Sequence, residues 1–387
     1  MRIGIATLYY QNYNYGGQLQ ALAMQKLLEA EGLDASLIAY RQDGIKYFFQ
    51  RLADLGPADA AVRICRKAAF RLLRMRRAEG EAIRKREERF RAFMEEIPHT
   101  DTVYTERTLR LCDWHFDCYV CGSDQIWNPE ITFGLRRAYF GAFSRPPGSR
   151  VVIYGASLGG SALPEEYDRD LRALLRAADC ISAREAAAIP YLAARTDKPV
   201  TAVSDPVFFL DAGAWEALAL SPGRKAYILV YVTEPNRALS RYVKRLARER
   251  GLCVVEVRAG GAAADPEFEA DVCAGPAEFL GYIRHASFVA TNSFHAAAFS
   301  LIFQKEFLVF AHSSRNARLE NLLAACGLGD RLIREGEEAP VPARPVCWDG
   351  VAERIRQMAG KSRAYLVRAL TGGQQENGED RHADGAV

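Results

Sequence analysis

The chain is 387 residues long, 49% hydrophobic and 26% charged, which suits two globular domains and excludes a disordered or fibrous polypeptide. No apolar run reaches the length of a membrane span, and nine scattered cysteines, an odd number, point to reduced thiols in a cytoplasm rather than a disulfide framework. The formal net charge of +3 is unremarkable as a total, but its distribution is not.

Residues 3–8 form an apolar stretch with one Arg before it and no small-residue cleavage site, so the N-terminus reads as a first strand, not a signal peptide. YYQNYNYGGQLQ follows, with Asn14, Tyr15, Gly16 and Gly17 at the entry to a helix over 18–31 that Gly32 stops. Strand, Gly-containing turn and helix open a doubly wound α/β domain, whose ligands lie beyond the strand C-termini. The spacing is neither the dinucleotide fingerprint nor a P-loop, and alone it equally fits a turn that needs glycine freedom. A second strand at 36–40 precedes a basic helical insertion over about 44–97. Between Arg63 and Arg91 twelve Lys or Arg face four Glu, a local net of 12 − 4 = +8. Val62, Ile64, Ala68, Ala69, Leu72, Leu73 and Met75 recur there at helical spacing. Such a stretch is a solvated face, or a surface for anionic lipid or a lipid-diphosphate-linked substrate. Few aromatics and no reader motif argue against nucleic acid.

The next strand, 116–121, lies in CDWHFDCYVC. Cys112, His115, Cys118 and Cys121 imitate a metal-ligand run, yet residues three apart in one strand point to opposite faces. Buried free thiols fit better, and no metal is expected. GSDQIWNP at the strand's end gathers Ser123, Asp124, Gln125, Trp127 and Asn128. Two readings stand for this cluster: a turn bonding its own backbone, or a sugar site with Trp127 stacking on the ring. A strand at 151–157, a helix at 164–178 and a strand at 180–183 lead to Arg184, a bidentate clamp for a carboxylate or phosphate, or else a surface ion pair. A strand at 200–203 enters SDPVFFL, and 211–225 reads as an interdomain linker.

A second α/β alternation follows: strand 226–232, helix 236–250, strand 253–257, a Gly/Ala loop and helix 276–285. Phe288, Val289 and Ala290 end a buried strand; Thr291, Asn292 and Ser293 stop it and cap a helix that is apolar from Phe294. A helix N-terminus there binds an anion, phosphate above all, and His295 in its first turn can act as an acid toward it. A strand at 307–310, a helix start near Ser314, Arg315 and Arg318, and a last helix over 351–370 complete the pattern. The expected layout is a Rossmann-like domain over 1–215, a second over 216–345, a helix over 346–370 packing back across both, and a disordered tail over 371–387. No P-loop, G-x-S-x-G, H-E-x-x-H or zinc-spaced CxxC pair is present.

Four blocks together resemble the polysaccharide pyruvyl transferase family: NYGGQLQALAM (14–24), CGSDQIWNP (121–129), ISARE with SDPVFFL (181–210) and TNSFHAAAFSLIFQKEF (291–307). SSRNARLENLLAACGL also fits, and the likeness spans about residues 1–330. The family pattern at the histidine is T-D-S-F-H-G; Asn292 and Ala296 depart from it here, leaving one carboxylate fewer and less room. The resemblance implies two Rossmann-like domains facing a cleft, as in GT-B glycosyltransferases. It also implies phosphoenolpyruvate as co-substrate, with no metal and no nucleotide cofactor. Pyruvate would be placed as a ketal across two hydroxyls of a sugar, in a cell-surface glycan or its lipid-linked precursor, by a cytoplasmic enzyme peripheral to the membrane. On that likeness the donor meets Arg184, Asn292, Ser293, Phe294, Lys305 and Arg315. His295 is the acid and Asp124 orients or deprotonates the acceptor, which meets Asn14, Tyr15, Gly16, Gly17, Ser123, Gln125, Trp127 and Asn128. A nucleotide-sugar glycosyltransferase and a non-catalytic glycan-binding protein remain the alternatives.

Overall fold

The computed structural model describes residues 1–42, 77–109, 115–258, 263–313, 316–340 and 344–372. Cys112, Arg315, residues 63–76 of the basic stretch and the tail from 373 lie outside them. Six parallel strands form the first sheet: β1 Arg2–Ala6, β2 Asp34–Leu37, β3 Cys118–Cys121, β4 Arg150–Ala156, β5 Cys180–Ala183 and β6 Val200–Ala202, in the order β2-β1-β3-β4-β5-β6. The second sheet is also parallel. It contains β7 Tyr227–Tyr231, β8 Cys253–Val257, β9 Glu269–Asp271, β10 Phe288–Thr291, β11 Phe307–Phe310 and β12 Leu332–Ile333, in the order β12-β11-β10-β7-β8-β9. CYVC, YILVY, FVAT and FLVF are buried along their whole length, as strands covered by helices on both faces must be. Among the described residues the helices of eight residues or more are α1 Tyr15–Ala30, α2 Arg77–Glu95, α3 Asp168–Leu175, α4 Arg237–Arg250, α5 Pro276–His285, α6 Phe294–Ile302, α7 Ala317–Cys326 and α8 Trp348–Thr371.

Each sheet reverses direction once. The chain leaves β1 for β2 on one side and returns to add β3 to β6 on the other; in the second sheet β7, β8 and β9 run outward before β10 starts the opposite way. Ligands of such sheets bind beyond the strand C-termini at these reversals. The two reversals, β1/β3 and β7/β10, open onto one cleft.

The halves share one apolar core cluster. Tyr15 of α1 stacks on Phe279 of α5, ring centroids 4.3 Å apart, and donates its hydroxyl hydrogen to Ala274 O at 2.8 Å. The α8 helix packs back onto the first domain: Ser204 N donates to Ser362 Oγ at 2.9 Å, and Arg150 Nε donates to Ala369 O. The stretch read as a linker is partly helical, Ala212–Ala217, because Asp211 accepts from Ala214 N and Trp215 is buried against Phe299.

The described part of the basic insertion, α2, works at the domain junction. Arg86 is buried over the Phe90 ring and donates to Tyr13 O, while Arg89 pairs with Glu278 of α5 at 3.1 Å. Those two side chains therefore join α2 to the turn before α1 and to α5. No helix among the described residues is long and apolar enough to cross a membrane. Cys118 and Cys121 face different core clusters on opposite sides of β3, and burial pushes both thiols up to about 12.

Candidate active site

The cleft is a cavity of ≈ 310 Å³, a volume in the range of small-molecule sites. Both reversals contribute to it: Asn12 and Asp124 follow β1 and β3, while Thr233 and Asn292 follow β7 and β10. Asn14 and Gly16 at the start of α1, Phe294 and His295 at the start of α6, and His312 and Arg318 further on complete the wall. The first sheet thus supplies carboxylate and amide groups, and the second supplies two histidines and an arginine.

The α6 N-terminus has no side-chain cap, unlike α1 and α4, whose first turns are closed by Asn14 and Asn236. Ser293 N donates to Thr291 Oγ1 at 2.9 Å. The first-turn amides of α6 beyond it are left with the dipole's positive end and no intrahelical acceptor, the arrangement that suits an oxyanion. Asn292 holds the neighbouring loop: its Oδ1 accepts from Thr233 N at 2.7 Å, and its Nδ2 donates to Glu234 O at 2.9 Å.

His295 is seated on Gly16. A Cβ at that glycine would lie 1.9 Å from His295 Nδ1, so no larger residue leaves the imidazole where it is. Gly17 is equally confined, its missing Cβ 2.6 Å from Leu8 O. His295 Nε2 faces Asp205 Oδ2 at 3.6 Å, a charge contact too long to be a hydrogen bond. Asp205 is fully buried. Burial alone would raise its carboxyl, but Arg184 and then His295 hold it well below the usual carboxylate range.

Arg184 bridges the halves of this network: Nη1 pairs with Asp205 and Nη2 donates to Asp124 Oδ1 at 3.3 Å. Burial opposes its charge, and the two carboxylates more than restore it, raising its proton affinity. Asp124 has φ +67, left-handed backbone that an aspartate adopts at a cost of about 1 kcal/mol or more, the kind of strain found at working sites. The Phe294 ring lies under two guanidinium groups, 5.1 Å from Arg184 and 5.8 Å from Arg318. Burial, and after it Arg184, push Arg318 down to about 10, so an anion between these groups relieves an unfavourable charge.

Behind Phe294 a second cavity of ≈ 240 Å³ is lined by Arg184, Asp205, Arg318, Asn321 and Lys361. Arg184 Nε, Arg318 Nε and Asn321 Nδ2 are buried donors without acceptors there.

A family profile described as polysaccharide pyruvyl transferase matches residues 14–314. The chain belongs to the polysaccharide pyruvyl transferase family. No curated protein matches this family member. Among solved structures it is similar to S. aureus MnaA in a co-structure with UDP, at 13% identity and TM-score 0.50 over 96% of this chain and 95% of that one. It is similar also to UDP-GlcNAc 2-epimerase from Methanocaldococcus jannaschii, at 10% identity and TM-score 0.50 over 96% and 100%. Likeness at that level speaks for the fold: two Rossmann-like domains in the GT-B arrangement.

In this pyruvyl transferase family member Asp124, Gln125, Asn14, Tyr15, Gly16, Asn292, Ser293, Phe294 and His295 all border the cleft. Several sequence expectations need correcting. Trp127 cannot stack on a sugar from its place in the core. It is fully buried, stacked on Phe140 at 4.8 Å, and donates Nε1–H to Tyr139 O. Ser123 is buried too, donating to Gly155 O, and Asn128 caps the next turn by accepting from Glu130 N and donating to Gln125 Oε1. Arg184 borders the rear cavity rather than the cleft, its guanidinium held by two carboxylates. Lys305 follows the C-terminus of α6, some 13 Å along the helix from the anion-binding end, where burial and then Arg284 lower its proton affinity. Among the described residues of the second domain, Arg318 is the arginine that borders the cleft.

Asp205, Glu185, Glu234 and His312 were not among the candidates. Asp205 Oδ1 caps its own turn, accepting from Val207 N at 3.1 Å, while its other oxygen faces His295. Glu185 accepts from Ser157 Oγ and lies 3.8 Å from Arg318. The signal for these residues was their charge at strand ends.

Proposed function

We propose that the protein transfers pyruvate from phosphoenolpyruvate onto two hydroxyls of a sugar, as a ketal, in the synthesis of a cell-surface glycan or its lipid-linked precursor. The observation that carries this reading is the joining, in one cleft, of an uncapped helix N-terminus, a histidine faced by a buried carboxylate, and Asp124 from the opposite domain. Phosphoenolpyruvate is a small frame with two anionic groups. The α6 amides suit its phosphate, and Arg318 suits the carboxylate at short range.

His295, kept beside the anionic Asp205, delivers a proton to the methylene carbon of the donor, while a sugar hydroxyl aligned by Asp124 bonds to the carbon bearing the phosphate and gives up its own proton. The carbon–oxygen bond to phosphate then breaks, its electron pair leaving with the phosphate. The second hydroxyl closes the ketal. Two hydroxyl protons are consumed, one at the new methyl group and one on inorganic phosphate. Asn14 and Gln125 provide amide groups on the acceptor side of the cleft.

The test is phosphate release from phosphoenolpyruvate with a panel of lipid-linked and nitrophenyl sugars. Acceptor-dependent release is expected, and His295→Ala lowers it by about a hundredfold or more. Turnover with UDP-GlcNAc and none with phosphoenolpyruvate would overturn the reading in favour of glycosyl transfer.

A further inference from the structure

The cavity behind Phe294 draws its walls from three parts of the chain. Arg184 follows β5 and Ser204 follows β6. Arg318, Asn321, Leu322 and Ala325 form one stripe of α7, at i, i+3, i+4 and i+7, and Met358 and Lys361 share a face of α8. Phe294 and Arg318 border this cavity and the cleft alike. At ≈ 240 Å³ it falls below the usual range for ligand pockets, about 300–1,000 Å³, so it suits a small occupant.

Its cationic groups outnumber its acceptors. Arg184, Arg318 and Lys361 set three positive charges against the carboxylate of Asp205, a net of 3 − 1 = +2 among the described residues of the lining. That carboxylate is already engaged, by Arg184 Nη1, by Val207 N at 3.1 Å and by the charge of His295. Arg318 Nε meets Glu185 Oε1 only at 3.8 Å, beyond hydrogen-bond reach. Ser204 is 7% exposed, and its Oγ, like Asn321 Nδ2, is buried with no hydrogen-bond partner among the described residues. Buried polar atoms of this kind are costly unless something pairs with them. The rest of the wall is apolar, including Val203, Phe208, Leu322 and Met358.

We propose that the rear cavity binds a small organic monoanion, an oxyanion head on an apolar body of a few carbons, at a site separate from the cleft. Arg318, Asn321 and Lys361 meet the head, while Val203, Leu322 and Met358 cover the body. A bare inorganic anion leaves that apolar wall unused. Because Arg318 serves both cavities, an occupant takes part of its charge from the cleft, and an anion in the cleft loosens the occupant by the same factor. On the pyruvyl-transfer reading, and resting on it, the site is inhibitory toward phosphoenolpyruvate.

Acetate, butyrate and hexanoate, with inorganic phosphate beside them, are titrated into the full chain without substrates and followed by ligand-observed NMR. Affinity is expected to rise about fourfold per added methylene, with phosphate weaker than hexanoate. Asn321→Leu weakens hexanoate about fivefold. Lys361→Met, at an exposed position where the fold is not at stake, weakens it about threefold. Equal affinity along the series, tightest binding by phosphate, or hexanoate indifferent to both substitutions overturns the proposal. In the phosphate-release assay hexanoate raises KM for phosphoenolpyruvate to a plateau with kcat unchanged, and both variants keep the wild-type KM in its absence. A rise without limit, equally strong in the variants, places hexanoate in the cleft and overturns the separate site. Hexanoate that binds as expected to a protein releasing no phosphate with any acceptor leaves the site standing and overturns the functional reading instead.

Discussion

Gly16 shows how one missing methyl group fixes the position of a reacting atom. The helix start would tolerate alanine on propensity, since Gly→Ala inside a helix gains roughly 0.5–1 kcal/mol. Contact decides the other way here, because the added carbon would sit 1.9 Å from His295 Nδ1. Gly16→Ala is therefore expected to keep its fold while kcat falls about a hundredfold, the scale of loss that an ångström of misplacement brings. Thermal melting and phosphate release measured on one sample check this. Unchanged turnover would mean that the seat of His295 is irrelevant to the chemistry. Ala296, the other departure from the family pattern, is fully buried in the core and does not border the cleft, so it need not crowd the histidine's working face.

At the scale of elements, the strand-to-helix turns carry the charges, and Asp205 is the one on which most depends. Its folded-state carboxyl is depressed by Arg184, so its contribution to stability is complete above the ordinary carboxyl value of about 4 and is lost as pH falls below it. Asp205→Asn retains the cap to Val207 but leaves Arg184 with one carboxylate fewer. The expected cost at neutral pH is about 3 kcal/mol, shrinking as the pH is lowered below about 4. Urea melts across that range measure it, and a difference independent of pH would show that Asp205 acts by shape alone. The same elements show what the residues disclosed. The run from Phe288 to Phe303 was legible because three buried apolar residues stop at short polar ones and are followed by a helix that is apolar but for His295 and Ser300. β9 was not, because Glu269–Asp271 has no apolar periodicity and owes its strand to the backbone ladder with β8. Trp127 was misread because its polar neighbours face the turn while its ring turns inward to Phe140. The network of Arg184 with Asp124 and Asp205 joins three positions far apart in sequence, which no local pattern records.

For the molecule as a whole, the cleft exists only while the two sheets hold their relative positions, and Tyr15 links that requirement to the site. It precedes the glycine that seats His295, stacks on Phe279 of the other domain, and is T-shaped to Tyr231 at the end of β7. Burial pushes its hydroxyl up to about 12 even with Arg86 nearby, and the hydroxyl hydrogen goes to Ala274 O. Since one core cluster runs through both halves, the protein is expected to unfold in a single transition, with calorimetric and van't Hoff enthalpies in agreement. Tyr15→Ala removes the ring at a cost of roughly 3–5 kcal/mol and is expected to split that transition into two, one for each sheet, with loss of turnover. Tyr15→Phe keeps the stack, forgoes only the bond to Ala274 O at a cost of about 1 kcal/mol, and leaves unfolding cooperative and the site active. Scanning calorimetry of the three proteins decides it. Two transitions already present in the wild type would mean that the domains are independent bodies, and the geometry between His295 and Asp124 would then have to be set by the substrates rather than by the fold.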